Sequence, residues 1–513
     1  MNILCKHCQA KHFKNEKVSN KESSFNDCCD HGTVKLDPFP DFPLELLTLF
    51  NGEYDKSSSF FDDIRNYNSS LSFASFNVNL VHFQMRRSAP YCFIIQEQIY
   101  YQINTALYAS GDKNPSYGQL FIIDQNEAID YRMQQNPLID YELMSILDNI
   151  IRNHNSYAKS YEMMKDEIRI QQLLKEMKND SSPTELQLLF SLKLGQDSRR
   201  YNFQRVNEVA AIFSTTVDGE IPESYITIRN KNTQNLEIVN SLDPNVEPWI
   251  YPLFYSYGTR GWHTTMYHSN SNRKITLLDY TKYKISVRES EFNPIIRDRR
   301  LFQQWIVDSY VKIERDRIQY CKSHKKELRV DTYKGLHDHM SNSTNDINGT
   351  IGKTVILPSS FTGSPWYMQQ CYQDAMAIFN ETGQPDIFLT MTCNPNWPEI
   401  TENLLPSQQA ADRPDLVAKV FDLKKDHLLD IVKRGLPHMH LLITLEQGYK
   451  ITTADIVDEF ILAEIPENLS DSRLYNIVMK NMIHGPCGDW CLRDGKCSKN
   501  FPKDFNQYAT LES

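Results

Sequence analysis

Two histidines, His438 and His440, stand in the run Gly435-Leu436-Pro437-His438-Met439-His440-Leu441-Leu442-Ile443-Thr444-Leu445, closed on its far side by Glu446-Gln447-Gly448. Bounded by Gly and Pro, such a run reads as a short strand, and residues two apart in a strand point the same way. His438 and His440 would then present two imidazoles on one face, roughly 7 Å apart at Cα, with Met439 and Leu441 facing a core. That spacing suits two ligands of one divalent metal. With a third polar group the ion keeps open positions, at which a phosphate oxygen can bind and be polarised for attack by a hydroxyl. The bare pattern occurs more often in ordinary strand histidines than in metal sites.

A second chemistry is carried by cysteine. Of 11 cysteines, Cys5, Cys8, Cys28 and Cys29 gather near the start and Cys487, Cys491 and Cys497 near the end. Cys clustered with His suits metal better than disulfide in a chain without a secretory signal. Cys5-x-x-Cys8 with Cys28, Cys29 and His31 resembles a small zinc ribbon and offers two orderings of its last ligands. His484, Cys487, Cys491 and Cys497 supply four ligands, with Gly485, Gly488 and Gly495 between them letting the chain turn back. Both sets suit tetrahedral structural zinc, whose coordination is filled by protein. Reduced, uncoordinated cysteines are the alternative.

The elements around the His pair are punctuated clearly. Ser364 as N-cap and Pro365 at the first position open a helix with Met368, Cys371, Ala375 and Ile378 inward, closed by Gly383 and Pro385. Ile387 to Thr392 alternates as a strand, with Phe388, Thr390 and Thr392 on one face, and ends at Asn394-Pro395. Pro414 starts a second helix with Leu416, Val420, Phe421 and Leu428 inward, and Gly435 sits where a C-cap belongs. Further upstream, residues 297–334 carry 11 Lys/Arg against six acids, with Leu301, Trp305, Ile306, Tyr310 and Ile313 at helical spacing. One face of that helix packs; the other, with Arg315 and Arg317, is a solvated face or a surface for DNA phosphate. Leu138 to Glu176 reads as one helix, Gln96 to Ala109 as another, and Val206–Phe213, Tyr225–Ile228 and Trp249–Tyr255 as strands. His337-Asp338-His339 lacks apolar flanks and reads as loop.

At 513 residues the chain exceeds what one core serves. No stretch approaches 18 consecutive apolar residues, which argues against a membrane span, and the first 30 positions lack the apolar run of a secretory signal. A net charge of −10 restricts nucleic-acid binding to local basic faces.

In chain order, Cys5-x-x-Cys8, Tyr117-Gly118-Gln119, Asn207-Glu208-Val209-Ala210-Ala211-Ile212-Phe213, Leu357-Pro358-Ser359-Ser360-Phe361-Thr362-Gly363, Phe388-Leu389-Thr390-Met391-Thr392-Cys393-Asn394-Pro395, Lys433-Arg434-Gly435-Leu436-Pro437-His438-Met439-His440 and His484-Gly485-Pro486-Cys487 resemble the N-terminal helicase-like region of Helitron rolling-circle transposases. The resemblance implies an α+β fold: a rolling-circle-initiator-like (HUH, His-hydrophobic-His) antiparallel sheet with helices over about residues 295–445, and small Cys/His zinc modules at both ends. The implied division is 1–40 zinc ribbon, 73–294 mixed α and β, 295–445 nuclease-like domain and 446–513 helix with the His-Cys-Cys-Cys cluster. It further implies Mg or Mn at His438 and His440 beside the Phe388-Leu389-Thr390 strand, single-stranded DNA as partner, and phosphate contacts from Thr390, Lys433, Arg434, Arg315 and Arg317. A genomic substrate implies a nuclear location.

Departures from the family temper the expected activity. Its tyrosine nucleophiles lie on a helix beyond the His-Gly-Pro-Cys block, and neither Tyr475 nor Tyr508 stands at a matching place, so no catalytic residue is assigned. No G-x-x-x-x-G-K-S/T phosphate loop is present. Relatives carry a further strand before Lys433-Arg434 that is missing here, which would bare a sheet edge and remove a candidate third ligand. Trp366 stands where Arg is usual. The expectation is a partial or inactive nicking domain, the alternative a DNA- or partner-binding remnant with structural zinc.

Overall fold

The computed structural model describes residues 1–16, 24–80, 95–103, 109, 114–178, 186–189, 211–214, 237–239, 242–269, 271–324, 357, 361–429, 438–451, 453, 455–457, 465–468, 471–481, 483, 492–493 and 496–498. In chain order its main elements are β1 (Ile3–Leu4), β2 (Lys11–His12), α1 (Asn26–Cys29), α2 (Leu44–Asn51), α3 (Ser57–Asp62), α4 (Ile64–Leu71), β3 (Ala74–Leu80), β4 (Ile95–Ile103), α5 (Gln125–Gln135), α6 (Tyr141–His154), α7 (Ser156–Lys178), β5 (Leu186–Leu189) and β6 (Ala211–Ser214). There follow β7 (Glu237–Val239), α8 (Val246–Ile250), α9 (Leu277–Ile285), α10 (Arg299–Ser323), α11 (Pro365–Thr382), β8 (Ile387–Thr392), α12 (Pro398–Thr401), α13 (Pro414–Leu429), β9 (His438–Ile443), α14 (Ser472–Asn481), β10 (Leu492–Arg493) and β11 (Lys496–Cys497). Helices combined with small antiparallel sheets make an α+β protein. No helix among the described residues is long and apolar enough to cross a membrane.

Two compact units divide the chain: Met1–Ile356 with Cys393–Pro437, and Leu357–Thr392 with His438–Ser513. In the first unit the main core is helical and aromatic, running from Leu46 of α2 through Phe60, Tyr67 and Phe73 to Trp249 and Trp305. Two polar pairs within it show how burial is offset. Trp305 Nε1 donates to Glu247 Oε1 at 2.7 Å, and Lys312 Nζ lies 2.9 Å from Asp308 Oδ2. A three-stranded antiparallel sheet, in the order β3-β4-β7, belongs to this unit.

Asp298, just before α10, breaks the rule. Its side chain is fully buried, and neither carboxylate oxygen has a hydrogen-bond partner among the described residues. Burial pushes its carboxyl well above the usual range, against the pull of Arg297 and Arg299. The native state therefore holds a proton that the unfolded chain releases near pH 4, and stability falls with rising pH by up to about 1.4 kcal/mol per unit until the folded group also ionises. Asp298→Asn is expected to melt higher than the parent at pH 7 and level with it at pH 4. Equal melting temperatures at pH 7 would refute this.

Three segments differ from the pattern reading. Gln96 to Ala109 reads as helix, yet Ile95–Ile103 is strand β4, paired antiparallel with β3 and β7; its Ile99, Tyr100, Tyr101 and Ile103 are strand formers, and partners remote in sequence decided the outcome. Trp249 to Tyr255 reads as strand, but Val246–Ile250 is helix α8, and Pro248 is tolerated in its first turn, where no backbone donor is needed. A run buried on all sides gives no periodicity by which to tell the two apart. Leu138 to Glu176 is two helices rather than one, broken at the buried Asn155, whose Oδ1 accepts from Tyr157 N at 2.9 Å while Nδ2 donates to Tyr255 O at 3.1 Å. The Tyr225–Ile228 and His337–His339 segments lie outside the described residues, as do residues 206–210 of the run that ends in β6.

In the second unit α11 keeps its expected caps: Ser364 Oγ accepts from Tyr367 N at 3.1 Å, and Gly383 ends it at φ 81°. Its expected inward face is not buried. Met368, Cys371 and Ile378 are exposed, because the described residues of this unit provide no second layer over them. In the first unit α13 does bury Leu416, Val420 and Phe421, as its spacing predicts.

Candidate metal centres

The N-terminal cysteines converge through two turns. Strands β1 and β2 pair Ile3 with His12 and Leu4 with Lys11. Between them the chain reverses tightly: Gln9 N donates to Cys5 O and Cys5 N to Ala10 O, both at 2.8 Å, with Gln9 left-handed at φ 58°. This brings the Cys5 and Cys8 sulfurs together. The short helix α1 delivers Cys28 and Cys29, after which Asp30, His31 and Gly32 turn the chain through left-handed conformations. At Gly32 (φ 87°) a Cβ would meet the His7 ring at 2.7 Å, so only glycine suits both the turn and the space.

The four sulfurs lie within 4.8 Å of one another, and Cys29 Sγ is 3.7 Å from both Cys5 Sγ and Cys28 Sγ. A zinc–sulfur distance of about 2.3 Å gives a tetrahedron with edges of about 3.8 Å, so this set fits a closed four-thiolate site for a metal such as zinc. Hydrogen bonds from Cys28 and Cys29 push the Cys8 thiol far down, while bonds with Cys29 and then Cys8 push Cys28 far up. Four thiols this close cannot all ionise unless a cation joins them, and zinc does that when bound. Gly32 N–H donates to Cys29 Sγ at 3.2 Å, and Arg288, stacked on Tyr283, donates from Nε to Cys8 O at 3.0 Å. Such outer contacts orient metal ligands.

Five candidate ligands are thereby reduced to four. His31 stands apart, its Nδ1 2.6 Å from Ser24 Oγ. Arg288 had no signal in the sequence, being 280 residues from its partner; Gly32, placed directly after the Cys-Cys-Asp-His run, could have been suspected. Of the C-terminal set, His484, Cys487 and Cys491 lie outside the described residues. Cys497 is buried at the end of β11, paired with Leu492 of β10.

The His strand is β9, and it pairs antiparallel with β8 in the register Thr392 to His438, Thr390 to His440 and Phe388 to Leu442. Directly opposed residues share a face. That face is open: Phe388 and Leu442 are each 63% exposed, whereas Leu441 on the reverse side is buried. Thr390 Oγ1 lies 3.0 Å from His440 Nδ1, and the Phe388 ring stacks on the imidazole at 5.2 Å between centroids and 14° between planes. With Nδ1 engaged by Thr390, a metal would be taken by Nε2. The backbone of residue 438 has the parity of His440, which is the spacing two imidazole ligands need. Among the described residues, the four cysteines form the one group of three or more metal-capable side chains. Beyond the strand, Asp386 accepts from Leu445 N at 2.8 Å and Ile451 N at 3.1 Å, anchoring the exit of β9; those N–H bonds, led by Leu445, hold its carboxyl below the usual range.

Of the expected phosphate contacts, Arg315 and Arg317 are exposed on the C-terminal half of α10, Arg317 Nη1 lying 2.9 Å from Glu314 Oε1. Thr390 is committed to His440, and Lys433 and Arg434 lie outside the described residues.

Residues 280–443 match the family described as the Helitron helicase-like domain at the N-terminus, a span that begins within α9 and ends on the last residue of β9. No curated protein matches the chain.

Proposed function

We propose, from the match of residues 280–443 to the Helitron helicase-like domain, that the protein is Helitron-related and that it handles single-stranded DNA through a divalent ion, Mg or Mn, held by His438 and His440. The observation that carries this reading is the Thr390–His440 contact of 3.0 Å on the open face of β8 and β9, two positions from His438. Bound there, such an ion would polarise a phosphodiester oxygen. The protein's own side chains would do the rest. Thr390 holds the Nδ1 side of His440 and leaves Nε2 as the nitrogen that would face the ion, Phe388 fixes the ring plane, and Arg315, Arg317, Lys433 and Arg434 engage backbone phosphates. The chemistry served would be that of rolling-circle nicking, in which an attacking hydroxyl bonds to phosphorus as the 3′ oxygen of the strand leaves; no tyrosine of the sequence is assigned as that hydroxyl, and the setting is a nucleus, where transposon-derived DNA is found. The thiolate site at Cys5, Cys8, Cys28 and Cys29, and the His484–Cys497 set, are structural zinc in this reading.

A second reading is binding without cleavage, since among the described residues no group of three or more metal-capable side chains includes His440. One experiment separates the two. Purified protein is incubated with a labelled single-stranded oligonucleotide and Mn²⁺ and run on a denaturing gel. The nicking reading expects cleaved strand that disappears in His440→Ala, with Mn²⁺ affinity reduced about 10- to 100-fold in Thr390→Val. An intact strand that is still bound, with affinity falling steeply as salt rises, selects the binding reading. Unchanged Mn²⁺ affinity in His440→Ala removes the metal from both.

A further inference from the structure

The C-terminal end of α10 carries a group of side chains that the metal site does not use. The first turns of this helix are buried through Leu301, Phe302 and Trp305; in its last turns Cys321 is still buried, while Gln319, Tyr320, Lys322 and Ser323 are exposed. Tyr320 is 54% exposed there, and the His324 ring stacks on it with centroids 4.0 Å apart and planes at 19°. The stack is fixed rather than casual. His324 Nδ1 lies 3.1 Å from the Tyr320 carbonyl, which can only accept, and 2.9 Å from Ser323 Oγ, so the imidazole is tied to the helix end as an Nδ1–H donor. Arg317, three residues before Tyr320 and seven before His324, shares this face.

We infer that Tyr320, backed by His324, is a stacking platform for an unpaired nucleobase, with Arg317 beside it for the adjoining phosphate. The inference rests on the proposed single-stranded DNA partner and names a surface for it apart from the His438/His440 site. An aromatic face held open to solvent beside cations matches the surface of an unpaired base, which has a π-face of its own; in a duplex those faces are already covered by neighbouring bases. Stacking of this kind tolerates any sequence. Glu314 now holds Arg317 and would exchange it for phosphate as the strand arrives.

The test uses the full chain and fluorescence anisotropy with two labelled strands, an oligothymidylate and an abasic strand of the same length. Tyr320→Ala is expected to bind the oligothymidylate about tenfold more weakly than the parent, the scale of one lost base stack. Its binding to the abasic strand should be unchanged, and Tyr320→Phe should restore the oligothymidylate affinity, because the ring and not the hydroxyl is the platform. Equal affinities of parent and Tyr320→Ala for the oligothymidylate would overturn the inference while leaving the single-strand reading intact. So would an equal loss on both strands, which would mark a role in charge or folding, or a surface that serves a protein partner. A parent protein that binds neither strand would defeat the reading and the inference together.

Discussion

Cys28→Ser is expected to strip zinc from the N-terminal module and to melt it. The apolar cluster around the thiols consists of Cys5, Ala10, Phe25, Cys28 and Cys29, with Ile3, Cys8 and Tyr283 packed against it. That is too small a core to hold β1, β2 and α1 together by burial, and modules of this size need a metal or disulfides. Structural zinc in small peptides contributes about 10–16 kcal/mol at neutral pH; removing one thiolate of four should therefore lower zinc affinity by orders of magnitude. The readout is zinc per chain by atomic emission, with amide exchange over residues 1–34. The parent should lose the same zinc to a chelator, faster in acid, since protons compete for thiolates. His31→Ala should keep its zinc, because His31 bonds Ser24 instead. Unchanged zinc content and exchange protection in Cys28→Ser would defeat the four-thiolate assignment.

Arg132→Ala is the second large effect, expected to cost about 3–5 kcal/mol of stability in the first unit. Arg132 is fully buried; its Nη1 lies 2.6 Å from Asp148 Oδ1, and Nε donates to Ser70 O at 2.9 Å, tying α5 to both α6 and α4. Burial lowers its guanidinium to about 10, with Asp148 opposing that shift, so it stays charged at neutral pH. On its other side Asp148 Oδ2 accepts from Arg152 Nε at 2.8 Å, and Arg152 Nη2 donates to Leu120 O at 2.7 Å. Truncating Arg132 leaves a fully buried carboxylate half-compensated and the Ser70 carbonyl without this donor. Urea denaturation gives the cost directly. Because a buried pair can be replaced by apolar groups of similar volume with little loss, Arg132→Met combined with Asp148→Leu should recover most of it. A double variant as unstable as the sum of the singles would show that packing and not charge is at stake.

How much of this was legible beforehand differs by element. The helix at Pro365–Thr382 and the strand at Ile387–Thr392 were readable because their signals are local: an N-cap serine, a first-turn proline, a glycine stop, strict alternation. The site residues at His438 and His440 were visible as a spacing, but the partner that holds the Nδ1 side of His440 lies 50 residues away on another strand, and register is a tertiary property. The strand reading of Trp249–Tyr255 and the helix reading of Gln96–Ala109 fail for a related reason, where helix α8 ends at Ile250 and strand β4 runs over Ile95–Ile103. Runs of aromatic and β-branched residues suit a buried helix or a paired strand alike, and what they touch decides between them.

The sequence by itself determined which residue types could do chemistry and how the chain is punctuated around them, since cysteine and histidine spacing, caps and turns act over a few residues. Only the tertiary structure decided that four cysteines gather without His31, that Arg288 supports them, and that Thr390 and Phe388 hold His440. Those choices depend on distances between segments 20 to 280 residues apart, which local propensity does not encode and packing enforces.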